Sequence, residues 1–230
     1  MTNQKIQSLS LLSSVCALVA FILNWIAVAG CSFVRLAVTF GNSSDPSSFS
    51  LRFGIWFYQA WTVVASLGGS AVFQGCWRYP DYVEFDSYMK SARAFSVMAL
   101  IVGAGFMFAD FISACTSSQT GGRRVASPSI QGVGYILASI FCALSLLILD
   151  SDICHDNNLV GQFTSLFPNV SMIATNCHIS TGAKCAISAS VFYFLAGASS
   201  CYVSKVEKSE VAVTEAGGVT EPLIAADGDL

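Results

Sequence analysis

The sequence predicts an all-α membrane protein, in which a four-transmembrane-helix bundle carries a small extracellular antiparallel β-sheet formed by the first outer loop. Three observations support this fold class. Only 11% of the 230 residues are charged, against roughly 25% in an average soluble domain. Long charge-free intervals approach or exceed the roughly 20 residues that a membrane-crossing helix needs. One such interval, 53–77, has the composition of β-strands instead of a helix.

Composition and charge exclude two classes of protein. With 54% hydrophobic residues and a mean hydropathy of +0.63, the chain does not have the composition of a disordered protein. The net charge is −3, and no basic run is longer than Arg123-Arg124, so there is no electrostatic footprint for nucleic acid. The expected partners are membrane lipid and other membrane proteins, including a second copy of this chain.

The interval 53–77 decides between four and five crossings. It contains two Gln and the pair Gly68-Gly69, and its large residues alternate with a period of two at Phe53, Ile55 and Phe57. This pattern is typical of strands joined by a glycine turn. We therefore predict four crossings and an outer loop rich in strands, with strand candidates at 31–40, 50–58 and 71–78.

The remaining elements follow from the other apolar intervals. A tail at 1–8 precedes helix 9–30, and the outer loop at 31–90 follows. We expect the second helix, 91–115 in the membrane, to begin outside the bilayer near Pro80, because Pro and early acids favour a helix start. An inner loop 116–129, helix 130–150, a second outer loop 151–183 and helix 184–204 come next. The acidic tail 205–230 lacks aromatic residues and is predicted to be disordered.

Two glycosylation sequons bear on sidedness. Asn42 follows the first crossing and Asn169 lies between the last two, so four crossings place both on the same side. Lys and Arg counts alone do not favour either orientation. The short loop containing Arg123-Arg124, the sequons and the cysteines together favour both termini in the cytoplasm. We expect the protein in the plasma membrane, with an endomembrane as the alternative.

The nine cysteines sort by depth along the predicted topology. Cys31, Cys76, Cys154 and Cys177 lie on the outer, oxidising side, where three connectivities are possible. We expect one bridge in each loop, Cys31 with Cys76 and Cys154 with Cys177. Near the inner surface, Cys115 and Cys201 are candidates for palmitoylation, although ordinary packing is the stronger interpretation.

The sequence contains no recognisable catalytic or cofactor-binding constellation. His155 and His178 each follow an outer cysteine, so a zinc site is a competing interpretation of Cys154 and Cys177, but the spacing does not match a zinc motif. P-loop, nucleophile-elbow, metalloprotease and dinucleotide signatures are missing. We therefore expect a protein that is not an enzyme and that binds neither a cofactor nor a metal.

Asp110 is the one acid in the interior of a predicted transmembrane helix, since Asp150 is the last residue of helix 130–150. An intramembrane carboxylate is a functional candidate by default, because burying its charge in lipid is costly. Asp110 lies near the inner end of its helix, where it can reach head groups or a cation such as Arg123. A structural pairing is the stronger interpretation, and proton or ion transport is the alternative.

The combined pattern resembles the superfamily of claudins and peripheral myelin protein. Gly54-Ile55-Trp56 is similar to the Gly-Leu-Trp signature of that superfamily, and Arg93, within Ala92-Arg93-Ala94, lies at the entrance to the second helix. The resemblance implies a left-handed four-helix bundle capped by an outer sheet. It also implies a non-enzymatic role in cell contact, barrier formation or membrane organisation through the disulfide-braced outer loops. The alternative function is a small transporter or channel subunit that uses Asp110.

Overall fold

The computed structural model describes residues 2–40, 47–64, 70–81, 83–117, 127–155 and 173–217. Long helices form a bundle, and an antiparallel sheet covers one end of it, which confirms the predicted fold class. In chain order the elements are α1 (Thr2–Ala29), β1 (Val34–Phe40), β2 (Ser47–Phe53), β3 (Phe57–Val64), β4 (Ser70–Arg78), α2 (Ser87–Ser117), α3 (Pro128–Leu144), a 3₁₀ helix (Ser145–Asp150), α4 (Asp152–His155), β5 (Ile173–Ile179) and α5 (Thr181–Gly217).

Four helical segments within these ranges are long and apolar enough to cross a membrane. They are Ser8–Ala29, Ser87–Ser113, Pro128–Asp150 and Thr181–Val206. Large apolar side chains such as Leu11, Ile101 and Phe111 point outward from them and are exposed. Since such an apolar surface is stable only against lipid, the chain is a multi-pass membrane protein.

Small residues allow the helices of the bundle to approach closely. Helix α5 packs along both α1 and α3, while α2 packs against α3 and α1. A Cβ atom added to Gly197 on α5 would lie only 2.8 Å from the Gly132 carbonyl oxygen on α3. Ala17 and Ala20 of α1 are fully buried. Close backbone contact of this kind replaces the hydrophobic driving force that helices lack inside lipid.

The sheet has the strand order β4-β3-β2-β1-β5, and its pairs are antiparallel. Four strands come from the predicted first outer loop, and β5 comes from the second connection. Val34 in β1 faces both Phe53 in β2 and Ile179 in β5. The two long connections therefore fold as one sheet, which the sequence did not predict.

One core joins the sheet to the bundle. Phe33, Leu36 and Ile55 from the sheet region are buried in the same cluster as Met89 on α2 and Ile148 on the 3₁₀ helix. We call this the sheet-bearing end of the bundle. The opposite end, where α1 begins and α5 ends, is the terminal end. A second buried cluster around Tyr135 and Tyr193 lies between the helices.

Several predicted boundaries are wrong, each for a local reason. The strand predicted at 50–58 is broken after Phe53, because the chain turns at Gly54 and returns as β3. Helix α2 begins at Ser87 instead of near Pro80, since Asp86 caps it: the Met89 N–H donates to Asp86 Oδ1 at 3.0 Å.

The two tails are also more helical than predicted. Helix α1 already begins at Thr2, and α5 continues through residues 205–217 of the predicted disordered tail. Ala, Glu, Lys and Val, with one Ser and one Thr, make up residues 205–216, and no helix breaker occurs before the pair Gly217-Gly218. The rest of the tail, 218–230, lies outside the described residues.

Candidate functional site

The residues that carry the family resemblance meet at the sheet-bearing end. Gly54, Ile55 and Trp56 form the turn between β2 and β3, and Arg93 lies in the second turn of α2. Arg93 Nε donates a hydrogen bond to the Ile55 carbonyl oxygen at 2.9 Å, across 38 positions of sequence. The arginine therefore fastens the β2–β3 turn to the bundle.

Position 54 requires a glycine, because the backbone there lies very close to the backbone of Gly30 and Cys31. A Cβ atom at this position would lie 2.9 Å from Cys31 Cα and closer still to the Gly30 carbonyl oxygen. The Gly54 N–H donates to the Phe57 carbonyl oxygen at 2.7 Å, which closes the turn. Because only glycine lacks the clashing atom, this turn can rest directly on the end of α1.

Tyr79 is a further member of the junction. Its hydroxyl donates to the Gly54 carbonyl oxygen at 2.8 Å, and its ring packs edge-on against Phe85 with centroids 5.1 Å apart. Burial raises the pKa of the Tyr79 phenol far above its ordinary value, while the charge of Arg93 acts in the opposite direction. The phenol therefore stays a neutral hydrogen-bond donor.

Aromatic rings surround the Arg93 guanidinium. Its central carbon lies 3.8 Å from the centroid of Phe85, 5.0 Å from that of Trp56 and 5.3 Å from that of Tyr79. The faces of aromatic rings attract a cation, by about 2 kcal/mol where water is displaced. The charge of Arg93 is thus held at the edge of the bundle by rings from the β2–β3 turn and the segment after β4.

Both predicted disulfides are present. Cys31 and Cys76 are bonded with Cα atoms 5.6 Å apart, and Cys154 and Cys177 are bonded with Cα atoms 5.3 Å apart. The first bond ties β4 to the chain that leaves α1, and the second ties α4 to β5. Since Cys154 and Cys177 are bonded to each other, their sulfur atoms cannot serve as zinc-binding thiolates.

A basic row crosses the face of the sheet that points away from the core. Arg35 in β1 is directly opposite Arg52 in β2 and His178 in β5. The neighbouring register positions, Val34 and Leu36, are buried on the other face, whereas Arg35 and His178 are exposed. Like charges that lie directly opposite each other destabilise a sheet, so the Arg35–Arg52 pair lowers the stability of the fold. Folding alone therefore does not account for this pair.

Asp110 lies at the terminal end of the bundle, half-buried between helices. The Tyr135 hydroxyl of α3 donates a hydrogen bond to Asp110 Oδ2. A cavity of about 20 Å³ adjoins the carboxylate, and Ser13, Gln131 and Ser200 from the other three spans also line it. This is room for about one water molecule. The expected partner Arg123 lies outside the described residues.

The other predicted site residues are placed as follows. A Cβ atom added to Gly132 would clash with Cys201 Sγ, so this thiol packs towards α3. Cys115 lies within α2. Asn42 and Asn169 lie outside the described residues. Across the described ranges, no group of three or more His, Cys, Asp and Glu side chains could hold a metal ion.

Sequence reasoning missed three members of these sites, Tyr79, Phe85 and Tyr135. Tyr79 and Phe85 lie between a strand and a helix, where no periodic pattern assigns a direction to a side chain. Tyr135 has the sequence context of an ordinary residue in an apolar helix. Its phenol is the feature that indicates a polar contact, because a hydroxyl within a membrane span needs a hydrogen-bond partner.

Comparisons with known proteins do not assign this geometry to a family. No family model matches the sequence, and a search of curated proteins finds no significant match.

Proposed function

We propose that this chain is a non-enzymatic, claudin-like membrane protein that makes cell-contact, barrier or membrane-organising interactions through its sheet. One observation carries the proposal: the two long connections form a single sheet, in which β5 pairs with β1, and each connection is closed by a disulfide. A braced surface of this kind loses little conformational entropy on binding, which favours recognition.

The exposed basic row suggests what the sheet contacts. Arg35 and Arg52 place two guanidinium groups side by side, and the exposed imidazole of His178 lies opposite Arg35. An acidic protein surface would relieve the repulsion between the two arginines and accept hydrogen bonds from the exposed Arg35 guanidinium.

Cell aggregation tests the contact function. Suspension cells that express the chain are mixed with labelled cells that do not, and mixed and self aggregates are counted after equal surface expression is verified. We expect Arg35→Glu together with His178→Glu to reduce aggregation severalfold. Lys205→Glu, an exposed charge reversal near the terminal end, is the matched control and should leave aggregation unchanged. Equal effects of the two variants, or no aggregation by the original chain, would contradict the proposal.

The proposed orientation places the sheet outside the cell and both termini in the cytoplasm, at the plasma membrane. Two predicted disulfides at the sheet-bearing end support this side, because bridges persist in oxidising compartments. Glycan mapping provides the test: occupancy at Asn42 and Asn169 is expected. Tags on either terminus should be accessible to antibody only after permeabilisation, and access in intact cells would reverse the orientation.

A second candidate function is a small transporter or channel subunit that uses Asp110. The observation in its favour is that Asp110 lines a polar cavity to which all four spans contribute. Asp110→Asn should then abolish ion or proton flux in reconstituted vesicles while surface expression and both disulfides are retained. Flux that survives this substitution would remove the transport function.

A further inference from the structure

A cleft lies between the end of β4, residues 79–81 and 83–85, and the first turns of α2. Its volume is about 190 Å³, and its walls include Trp56, Arg78, Tyr79, Asp81, Phe85 and Arg93. A single water needs only about 10–15 Å³ by this measure, so a phosphate group fits. The cleft belongs to the junction described above, but the contact function proposed for the sheet makes no use of it.

The cleft carries uncompensated positive charge. Arg78 and Arg93 line the same cleft, so their like charges repel each other. Nε is the Arg93 donor that the Ile55 carbonyl uses, and the outer guanidinium nitrogens are not needed for that bond. Asp81 is an exposed carboxylate on the same cleft, which leaves two guanidinium groups against one acid. An oxyanion between the two arginines would remove the repulsion.

The depth of the cleft matches the head-group layer of a membrane. Arg93 lies six residues after the start of α2 at Ser87, or about 9 Å along the helix axis. The span Ser87–Ser113 is about 40 Å long, which exceeds the roughly 30 Å hydrocarbon thickness, so its first turns extend into the interface. Trp77, the residue before Arg78 in β4, and Tyr88, in the first turn of α2, are exposed, as interfacial aromatic residues are.

An apolar track runs from the cleft towards the bilayer centre. Val97 and Ile101 follow Arg93 at intervals of four residues and therefore share its helix face. Both are exposed, Ile101 to 66%. A lipid whose head group occupied the cleft could lay an acyl chain along this face, whereas a soluble anion would leave it unused.

We propose that this cleft binds the phosphate of an anionic phospholipid, held by Arg78 and Arg93, in the leaflet at the sheet-bearing end. Arginine suits this ligand because its planar fork can donate two parallel hydrogen bonds to one phosphate. The aromatic rings hold the Arg93 guanidinium in place before the lipid arrives. Phosphate chemistry is shared by lipids and soluble phosphates, and the depth of the cleft and the apolar track favour the lipid.

The test uses the full chain in nanodiscs of phosphatidylcholine with a minor fraction of phosphatidylglycerol, and native mass spectrometry measures retained phosphatidylglycerol. The Arg78 side chain is exposed and makes no hydrogen bond among the described residues, so Arg78→Gln should fold with both disulfides formed. It should weaken retention about tenfold, as expected for loss of a charge-assisted pair. Arg78→Lys, which keeps the charge but loses the fork, should give a smaller loss.

Lys90→Gln is the matched control, because Lys90 is an exposed cation on α2, the helix of Arg93, and does not line the cleft. It should leave retention unchanged. Equal losses in Arg78→Gln and Lys90→Gln, or no loss in either, would overturn the proposal, since retention would then reflect surface charge or no site. Displacement of the lipid by millimolar inorganic phosphate would also overturn it, in favour of a soluble anion. Cell aggregation is a separate readout, so this site and the contact function can fail independently.

Discussion

The Tyr79 hydroxyl donates a hydrogen bond at 2.8 Å to the carbonyl oxygen of Gly54, the residue whose missing side chain lets the β2–β3 turn rest on the end of α1. Arg93 donates to the next carbonyl, that of Ile55. Two consecutive carbonyl groups of one turn are thus satisfied by side chains from two other parts of the chain. The position of the sheet over the bundle depends on this small set of polar contacts.

Loss of Arg93 should loosen the sheet. Arg93→Gln removes the cation from three aromatic rings and the donor from the Ile55 carbonyl, so the free energy of unfolding should fall by about 2–4 kcal/mol. Thermal unfolding in detergent, followed by tryptophan fluorescence, measures the change. The exposed Lys90→Gln on the same helix should alter it by less than about 0.5 kcal/mol. Comparable losses in the two variants would show that helix charge, and not the junction, is responsible.

Substitution of Gly54 tests the close approach to α1. A Cβ atom in Gly54→Ala would clash with the Gly30 carbonyl oxygen and lie 2.9 Å from Cys31 Cα, so backbone must move and the protein should lose about 3 kcal/mol of stability. Gly105→Ala is the control, because a Cβ atom there has no neighbour within 4 Å and the position is helical. That change should be neutral or stabilise by up to about 1 kcal/mol. A neutral Gly54→Ala would contradict the described turn.

Tyr79 should make the junction sensitive to alkaline pH. Its folded-state pKa is raised above the unfolded value of about 10, so its contribution is complete below pH 10 and is lost as the pH rises beyond it. Tyr79→Phe should cost about 1–2 kcal/mol at neutral pH, because the Gly54 carbonyl loses its donor. The variant should also lose part of the stability decline above pH 10. Denaturant unfolding at several pH values gives both quantities, and parallel pH profiles would refute the assignment.

The sequence predicts the helices and disulfides well because each depends on information that is local or topological. A run of about 20 apolar residues predicts a membrane-spanning helix from its own composition, without information on which elements pack against it. Cys31 and Cys76 lie in one connection, so sidedness and proximity along the chain suffice to pair them. The sequence does not predict the break at Gly54, because the break depends on Gly30, a residue 24 positions away that directly follows α1.

The residues of the candidate sites also differ in whether local sequence information identifies them. Arg93 and Trp56 were identified by resemblance to a family motif, yet that resemblance did not identify Phe85, the ring closest to the guanidinium. Asp110 was found because an acid within an apolar helix is conspicuous. Its partner Tyr135 could not be found, since the choice requires knowing that α3 packs beside α2 at that depth.

The two disulfides should contribute unequally. In the chain-entropy account, closing the 45-residue separation of Cys31 and Cys76 stabilises by about 4 kcal/mol, and the 23-residue separation of Cys154 and Cys177 by about 3 kcal/mol. Cys31→Ser should therefore lower the unfolding temperature more than Cys154→Ser does. Non-reducing gels and thiol labelling verify the bonds. Unchanged mobility of Cys31→Ser, together with labelling of Cys76 in the original chain, would show that the first bridge does not form.

A double-mutant cycle should measure the coupling of Asp110 and Tyr135 within the bundle. Tyr135→Phe removes a hydroxyl donor from a half-buried carboxylate and should cost about 1.5–3 kcal/mol. Asp110→Asn keeps an acceptor oxygen of nearly the same shape, so its cost should be smaller. In the Asp110→Asn background the Tyr135→Phe change should cost at least about 1 kcal/mol less than in the original chain. Thermal unfolding in detergent gives the four values, and Tyr202→Phe, an exposed tyrosine on α5, should change none of them. Strict additivity would mean that the two side chains have no coupling energy although they are neighbours. The Tyr135 hydroxyl would then not hold the Asp110 carboxylate in place beside the polar cavity.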